Sequence, residues 1–218
     1  RGRVGWGIDR TYPVELQPGD VQKVYGEVMN DILGGGVFSG YLMQNLREDK
    51  AYTYGARSRL SDDEQVGYFT ANASVRNEVT DSAIVQFFHE MNRIRTDTVD
   101  AEHLELVKNA KTGSFARSLE SSQRVATLAM NIRRFDLPSD YYDKNLKRLE
   151  NTTRDDVMKM AREYIHPDQS YLLVVGNKDA VSDKLLQFAG DDKIHYYDQY
   201  GNPVEQSEVA ITEGMTGK

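Results

Sequence analysis

The residues best suited to chemistry sit in one stretch, residues 34–55, which reads GGGVFSGYLMQNLREDKAYTYG. Arg47 carries a permanent charge and five N–H donors. Tyr52 and Tyr54 add two phenolic hydroxyls, and a tyrosine with a reference pKa of about 10 keeps its proton at neutral pH. Groups of this kind donate hydrogen bonds and do not activate water. Such donors can bond an oxygen acceptor on a neighbouring group or a ligand. Ordinary structural roles fit as well: a cation near a helix C-terminus is favoured by roughly 0.3–1 kcal/mol, and tyrosines two apart on a strand share a face and pack. The run Gly34, Gly35, Gly36, with Gly40 beyond it, follows a long helical pattern rather than a strand and lacks the Lys-Ser/Thr pair, so it is not a phosphate loop. Two readings of it stay open. It is either a helix stop with a tight connection, or a wall whose uncovered amides let a peptide approach closely.

Metal chemistry finds little support. The histidines are His89, His103, His166 and His195, too far apart in sequence for H-E-x-x-H or H-x-x-E-H. His89 with Glu90 and His103 with Glu105 are fragments of such patterns, read here as surface or helix-packing residues, and no metal ligand is assigned. Cysteine is absent, which excludes disulfides, thiol nucleophiles and thiolate zinc sites. A net charge of -7 disfavours a phosphate backbone or an anionic membrane surface, so neither nucleic acid nor membrane is expected as a partner. No apolar run approaches the roughly 20 residues of a membrane helix. The chain opens on Arg1 with a strand-like pattern, as expected of a piece of a longer protein, and no compartment follows from it.

The elements around the central stretch follow from periodicity. Val4, Trp6 and Ile8 alternate with small or polar residues as in a strand. Pro13 and Pro18-Gly19 mark an extended linker and a turn. Asp20 is placed to cap a helix whose Val21, Val24, Tyr25, Val28, Met29, Ile32 and Leu33 form one stripe, and the glycine run stops it. Ser39 is placed to cap a short helix with Leu42, Met43 and Leu46 inward and Arg47 near its end. Residues 52–60 and 66–75 flank the polar turn SDDEQ as a hairpin. Ile84, Phe87, Phe88 and Met91 stripe the next helix. A helical block from Asp100 to Phe135 breaks near Ser121. Ser139 restarts a helix, and Thr153 with Asp156 forms a capping box ahead of one that Pro167 ends. Residues 171–175 read as a central strand, 180–188 as a helix and 194–197 as a last strand packed by Tyr196, Tyr197 and Tyr200. Residues 1–200 are expected to form a single domain and 201–218 a flexible tail. The pattern predicts an α+β, two-layer sandwich of mainly antiparallel sheet with helices on one face.

A helix ending in glycines, then Phe38-Ser39, a short helix with Leu46-Arg47-Glu48, and Tyr54 seven residues after the arginine resembles the C-terminal, non-metal-binding half of the pitrilysin, insulysin and mitochondrial processing peptidase superfamily. The resemblance spans residues 4–197 by the order of elements. It implies the same two-layer architecture and the catalytic pair Arg47 and Tyr54. Gly34, Gly35, Gly36, Phe38 and Tyr52 become substrate contacts, and the substrate a peptide. It also implies that zinc and H-x-x-E-H lie on a homologous partner half, in the same parent chain or another subunit, where hydroxide made at the metal attacks the peptide carbonyl. The isolated chain is then expected to be inactive. A noncatalytic scaffold or interaction subunit on the same fold is the rival reading.

Overall fold

The computed structural model of the chain describes residues 6–36, 40–190 and 193–204. Val4, Phe38, Ser39 and residues 205–218 lie outside the described residues. The chain divides into two units, Arg1–Gly176 and Asn177–Lys218.

In the first unit, β1 (Trp6–Val14), β2 (Thr53–Ser61), β3 (Gly67–Val75) and β4 (Tyr171–Val175) make one antiparallel sheet in the order β2-β3-β1-β4. The period of two sets which side chains face inward. Ile8, Arg10, Tyr12 and Val14 of β1 are buried, opposite Ala73, Ala71, Phe69 and Gly67 of β3. Two expectations fail here. Pro13 lies inside β1 rather than in a linker, at a place where β4, whose pairing covers only Gly7 to Thr11, has already left that side of the strand open. A proline is tolerated at such a local edge. The apolar run of β4 is an edge strand, not a central one: among the described residues it pairs with β1 alone, and Tyr171, Leu173 and Val175 are exposed.

Helices cover the inner face. They are α1 (Gln22–Asn30), α2 (Tyr41–Met43), α3 (Thr80–Thr96), α4 (Ala101–Ser118), α5 (Ser122–Arg134), α6 (Tyr141–Glu150) and α7 (Arg154–Tyr164). The stripe of α1 is buried at Val24, Val28, Met29, Ile32 and Leu33. Asp20 does not cap that helix. Its carboxylate accepts from Gln17 N at 2.8 Å across the Pro18-Gly19 turn, where Gly19 has φ +98°. The break near Ser121 is real, with Asp100 and Ser121 capping α4 and α5. The capping box of α7 is present in both directions, Asp156 N to Thr153 Oγ1 at 3.2 Å and Thr153 N to Asp156 Oδ2 at 2.9 Å.

Arg10 is a charge in the core. It lies 3.7 Å over the Phe88 ring, donates from Nη2 to the Pro167 carbonyl at 2.9 Å and from Nε to Ser170 Oγ at 2.9 Å, and so ties the turn before β4 to β1. Burial pulls its pKa down to about 10.

The second unit holds α8 (Lys178–Leu185), capped by Asn177, and a short hairpin of β5 (Tyr196–Tyr197) with β6 (Pro203–Val204). Tyr196 donates to Ser182 Oγ at 3.1 Å, but Tyr197 and Tyr200 are exposed and do not pack the strand. No helix among the described residues is long and apolar enough to cross a membrane.

Candidate functional site

The site is assembled from three consecutive pieces that pack on one another: the end of α1, the helix carrying Arg47, and the start of β2. At the first, the glycine run does not stop the helix by a left-handed cap. Gly19 and Gly201 are the glycines with positive φ among the described residues. Instead α1 widens into a π-helical turn, Asp31–Gly35, and turns extended at Gly36. The reason for glycine is close approach. A Cβ on Gly34 would stand 2.8 Å from the Ser58 backbone nitrogen and from Leu42 Cδ1, and one on Gly40 would stand 3.0 Å from Gly34 Cα. Asn30 completes this contact, accepting from Ser58 Oγ at 2.9 Å. Gly34 is therefore buried against β2 and Leu42, which favours the tight-connection reading for that residue, while Gly35 is exposed and Gly36 half-buried.

Arg47 sits in a second π-helical stretch, Gln44–Asp49, that continues α2. Leu42, Met43 and Leu46 seat this helix in the core as their spacing predicts. Asn45 clamps it from the side. Its Nδ2 donates to Glu90 Oε1 at 2.6 Å and to Gln86 Oε1 at 3.0 Å, and Glu90, almost wholly buried, also accepts from Arg93 at 3.2 Å. A buried carboxylate left without donors is costly, so this clamp holds α3 to the Arg47 helix tightly. Sequence reasoning missed Asn45 and Glu90. The available signal was Glu90 itself, a charge on the buried face of α3 between Phe87 and Ile94.

The exit from this helix aims the next residues. Ala51 N donates to the Arg47 carbonyl at 3.1 Å and Tyr52 N to the Leu46 carbonyl at 2.8 Å, while Ala51 takes a left-handed φ of 52° that turns the chain into β2. β2 begins at Thr53, so Tyr52 precedes the strand and is half-buried. Thr53, another residue that sequence reasoning missed, is buried and donates to the Ser74 carbonyl at 2.7 Å, while its Oγ1 accepts from Gly55 N at 3.0 Å. These bonds pin a β-bulge between Thr53 and Ala56. Bulges of this sort re-aim a side chain. Tyr54 lies inside it and is 78% exposed. The Arg47 side chain is 39% exposed, with Nε 3.5 Å from Glu48 Oε1, an exposed pairing that leaves its donors open to exchange. Phe38 falls outside the described residues.

Among the described residues, no group of three or more His, Cys, Asp and Glu side chains could hold a metal ion. Zinc chemistry therefore finds no fitting ligand set in this part of the chain.

Residues 12–111 match the family model described as "Peptidase M16 inactive domain". No curated protein matches the chain. Among solved structures, the peptidase M16 inactive domain from Pseudomonas fluorescens superposes with a TM-score of 0.70 at 19% identity, over 78% of this chain and 40% of that one. The inactive peptidase domain of a candidate zinc protease from Bordetella parapertussis gives 0.69 at 15% identity, over 81% of this chain and 94% of that one. A protease from Helicobacter pylori gives 0.68 at 18% identity, over 81% and 42%. These likenesses establish the fold, and the chain spans about 40% of the length of the Pseudomonas and Helicobacter chains. The matched segment runs from β1 through the glycine turn, the Arg47 helix, the β2–β3 hairpin and α3 into α4, so the part of the chain that is similar to the peptidase M16 inactive-domain family, residues 12–111, contains the candidate site.

Proposed function

We propose that the chain is the inactive-domain half of a zinc metallopeptidase, and that it supplies Arg47 and Tyr54 to a peptide site whose zinc and H-x-x-E-H lie on a partner half. The observation that carries this is Tyr54, exposed on a bulge that Thr53 pins, one turn of chain beyond the clamped Arg47 helix. A large exposed tyrosine on a backbone fixed by the hydrogen bonds of Thr53 to Ser74 and Gly55 is better suited to contacting a ligand than to packing.

The chemistry these two side chains can perform is donation. When a peptide carbonyl is attacked, an electron pair moves onto its oxygen, and the Tyr54 O–H donates to that oxyanion. The Arg47 guanidinium donates to substrate carbonyls before and during the step, with Gly35, Gly36 and Tyr52 along the same path. Neither residue takes a proton from water, so activation of the attacking water falls to the partner half. Such a division of labour leaves the isolated chain without hydrolytic activity.

The test is made in the enzyme assembled from this chain and its zinc-bearing half. Tyr54→Phe is expected to lower turnover about 100- to 1,000-fold, the usual loss for one oxyanion donor, with zinc content and thermal midpoint unchanged. Arg47→Ala is expected to raise KM as well. Loss of activity in Tyr52→Phe with full activity in Tyr54→Phe would exchange the two tyrosines. Full activity in both would favour the scaffold reading, which the family's "inactive" description equally fits.

A further inference from the structure

On the helical side of the first unit, a cleft of about 720 Å³ opens between α1, α4, α5 and α6, with Gly35 and Gly36 on its border and neither Arg47 nor Tyr54 in its lining. Its size lies within the range of small-molecule sites, roughly 300–1,000 Å³. The helices around it bury little on this side. α5 buries only Leu128, and α4 buries only Leu104 and Val107 in its first half. α6 turns Tyr141, Tyr142, Asn145, Leu146 and Leu149, one continuous helical face, into the cleft.

The lining is polarised. Phe115 stacks with Tyr142, and with Leu128, Phe135 and Leu146 they give the cleft an apolar body. Its carboxylates are already engaged inside it: Asp62 with Lys23 at 2.8 Å, and Asp31 and Glu27 with Lys111 at 3.0 and 3.4 Å. Burial alone would push Lys111 down, yet these two carboxylates outweigh it and hold its pKa above the ordinary value. That leaves Arg117 and Arg124, whose guanidiniums have no ion-pair or hydrogen-bond partner among the described residues. Arg117 lies in the last turn of α4 and Arg124 in the first turn of α5, so both stand at the α4–α5 corner, with Leu128 one helical turn and Phe135 three turns further along the same face of α5. On a chain of net charge -7, a cleft with two spare cations at one end and aromatic walls along the rest is a local exception.

We propose that this cleft binds a small amphipathic anion, with an apolar chain or ring along α5 and α6 and a single carboxylate or phosphate head on Arg117 and Arg124. Guanidinium suits either head because its paired donors match both geometries. Gly35 and Gly36 border both this cleft and the proposed peptide path, but neither Arg47 nor Tyr54 lines it, and the test below needs no zinc-bearing half.

The experiment is calorimetric titration of the 218-residue chain with decanoate, decyl phosphate, decanol and decyltrimethylammonium, each below its micelle concentration. Saturable binding of one decanoate or decyl phosphate per chain is expected, at least about tenfold tighter than the cation; the tighter anion identifies the head group. Arg117→Gln with Arg124→Gln, both exposed positions, is expected to weaken the anions about tenfold or more while leaving decanol unchanged and the thermal midpoint intact. Leu128→Trp, which fills the cleft, should weaken all of them. Absence of saturable anion binding, equal binding of the cation, or anion affinity unmoved by the double glutamine variant would each overturn the proposal.

Discussion

Arg10 and His103 are titratable residues whose behaviour follows from where the chain folds them. Arg10 brings a charge into the core and keeps it by cation–π contact with Phe88 and by donation to Pro167 and Ser170. Arg10→Ala would strip the donors from those acceptors and leave a void, and it is expected to cost about 3 kcal/mol in urea unfolding. Arg10→Met, which keeps the volume and sheds a charge that burial penalises, should cost less. His103 is half-buried beside the Tyr41 ring, and burial, helped by Arg93 and opposed by Asp100, lowers its pKa below the ordinary 6.5. Above pH 6.5 both folded and unfolded histidine are neutral and this residue contributes its full stability. As pH falls below 6.5 the unfolded chain takes up the proton first, so stability drops toward the lower folded pKa. Midpoints of denaturant unfolding between pH 7 and 5 should fall less steeply in His103→Gln than in the wild type.

At the scale of elements, the glycines separate into those the packing requires and those it does not. Gly34→Ala would force a Cβ against the Ser58 backbone and Leu42, and is expected to destabilise by about 1–3 kcal/mol because α1 must move off β2. Gly113 stands within α4 with nothing within 4 Å of an added Cβ, so Gly113→Ala should stabilise by about 0.5–1 kcal/mol. Opposite signs in urea unfolding would check both at once. The capping box of α7 adds a third case, with Thr153→Ala expected to cost about 1 kcal/mol. That box was legible because its two bonds join residues three apart. The edge position of β4 was not, since an apolar run of five looks the same whether one neighbour or two flank it.

For the molecule as a whole, the described residues present donors but no metal-ligand set. The purified chain is accordingly expected to bind no stoichiometric zinc and to cleave no peptide. Chelator-sensitive hydrolysis that follows this protein through purification would place the metal on this chain and overturn the two-half reading. Addition of the zinc-bearing half should produce activity that depends on Tyr54.

Local periodicity determined the α1 stripe, the inward face of the Arg47 helix, the hairpin and the α4–α5 break, because each depends on residues a few positions apart that share a face. The two-layer class was legible in the order of elements, and the family resemblance singled out Arg47 and Tyr54 as the candidate pair. What tertiary structure alone decided rests on contacts between distant segments. Gly34 is required because Ser58 approaches it, not because a helix must end there. Glu90 became a clamp only when Asn45 was brought to it, and Thr53 pins the Tyr54 bulge through a carbonyl 21 residues away on β3. The cleft was invisible for the same reason: the walls come from four helices, and an apolar face looks identical in sequence whether it packs against a core or lines an open space.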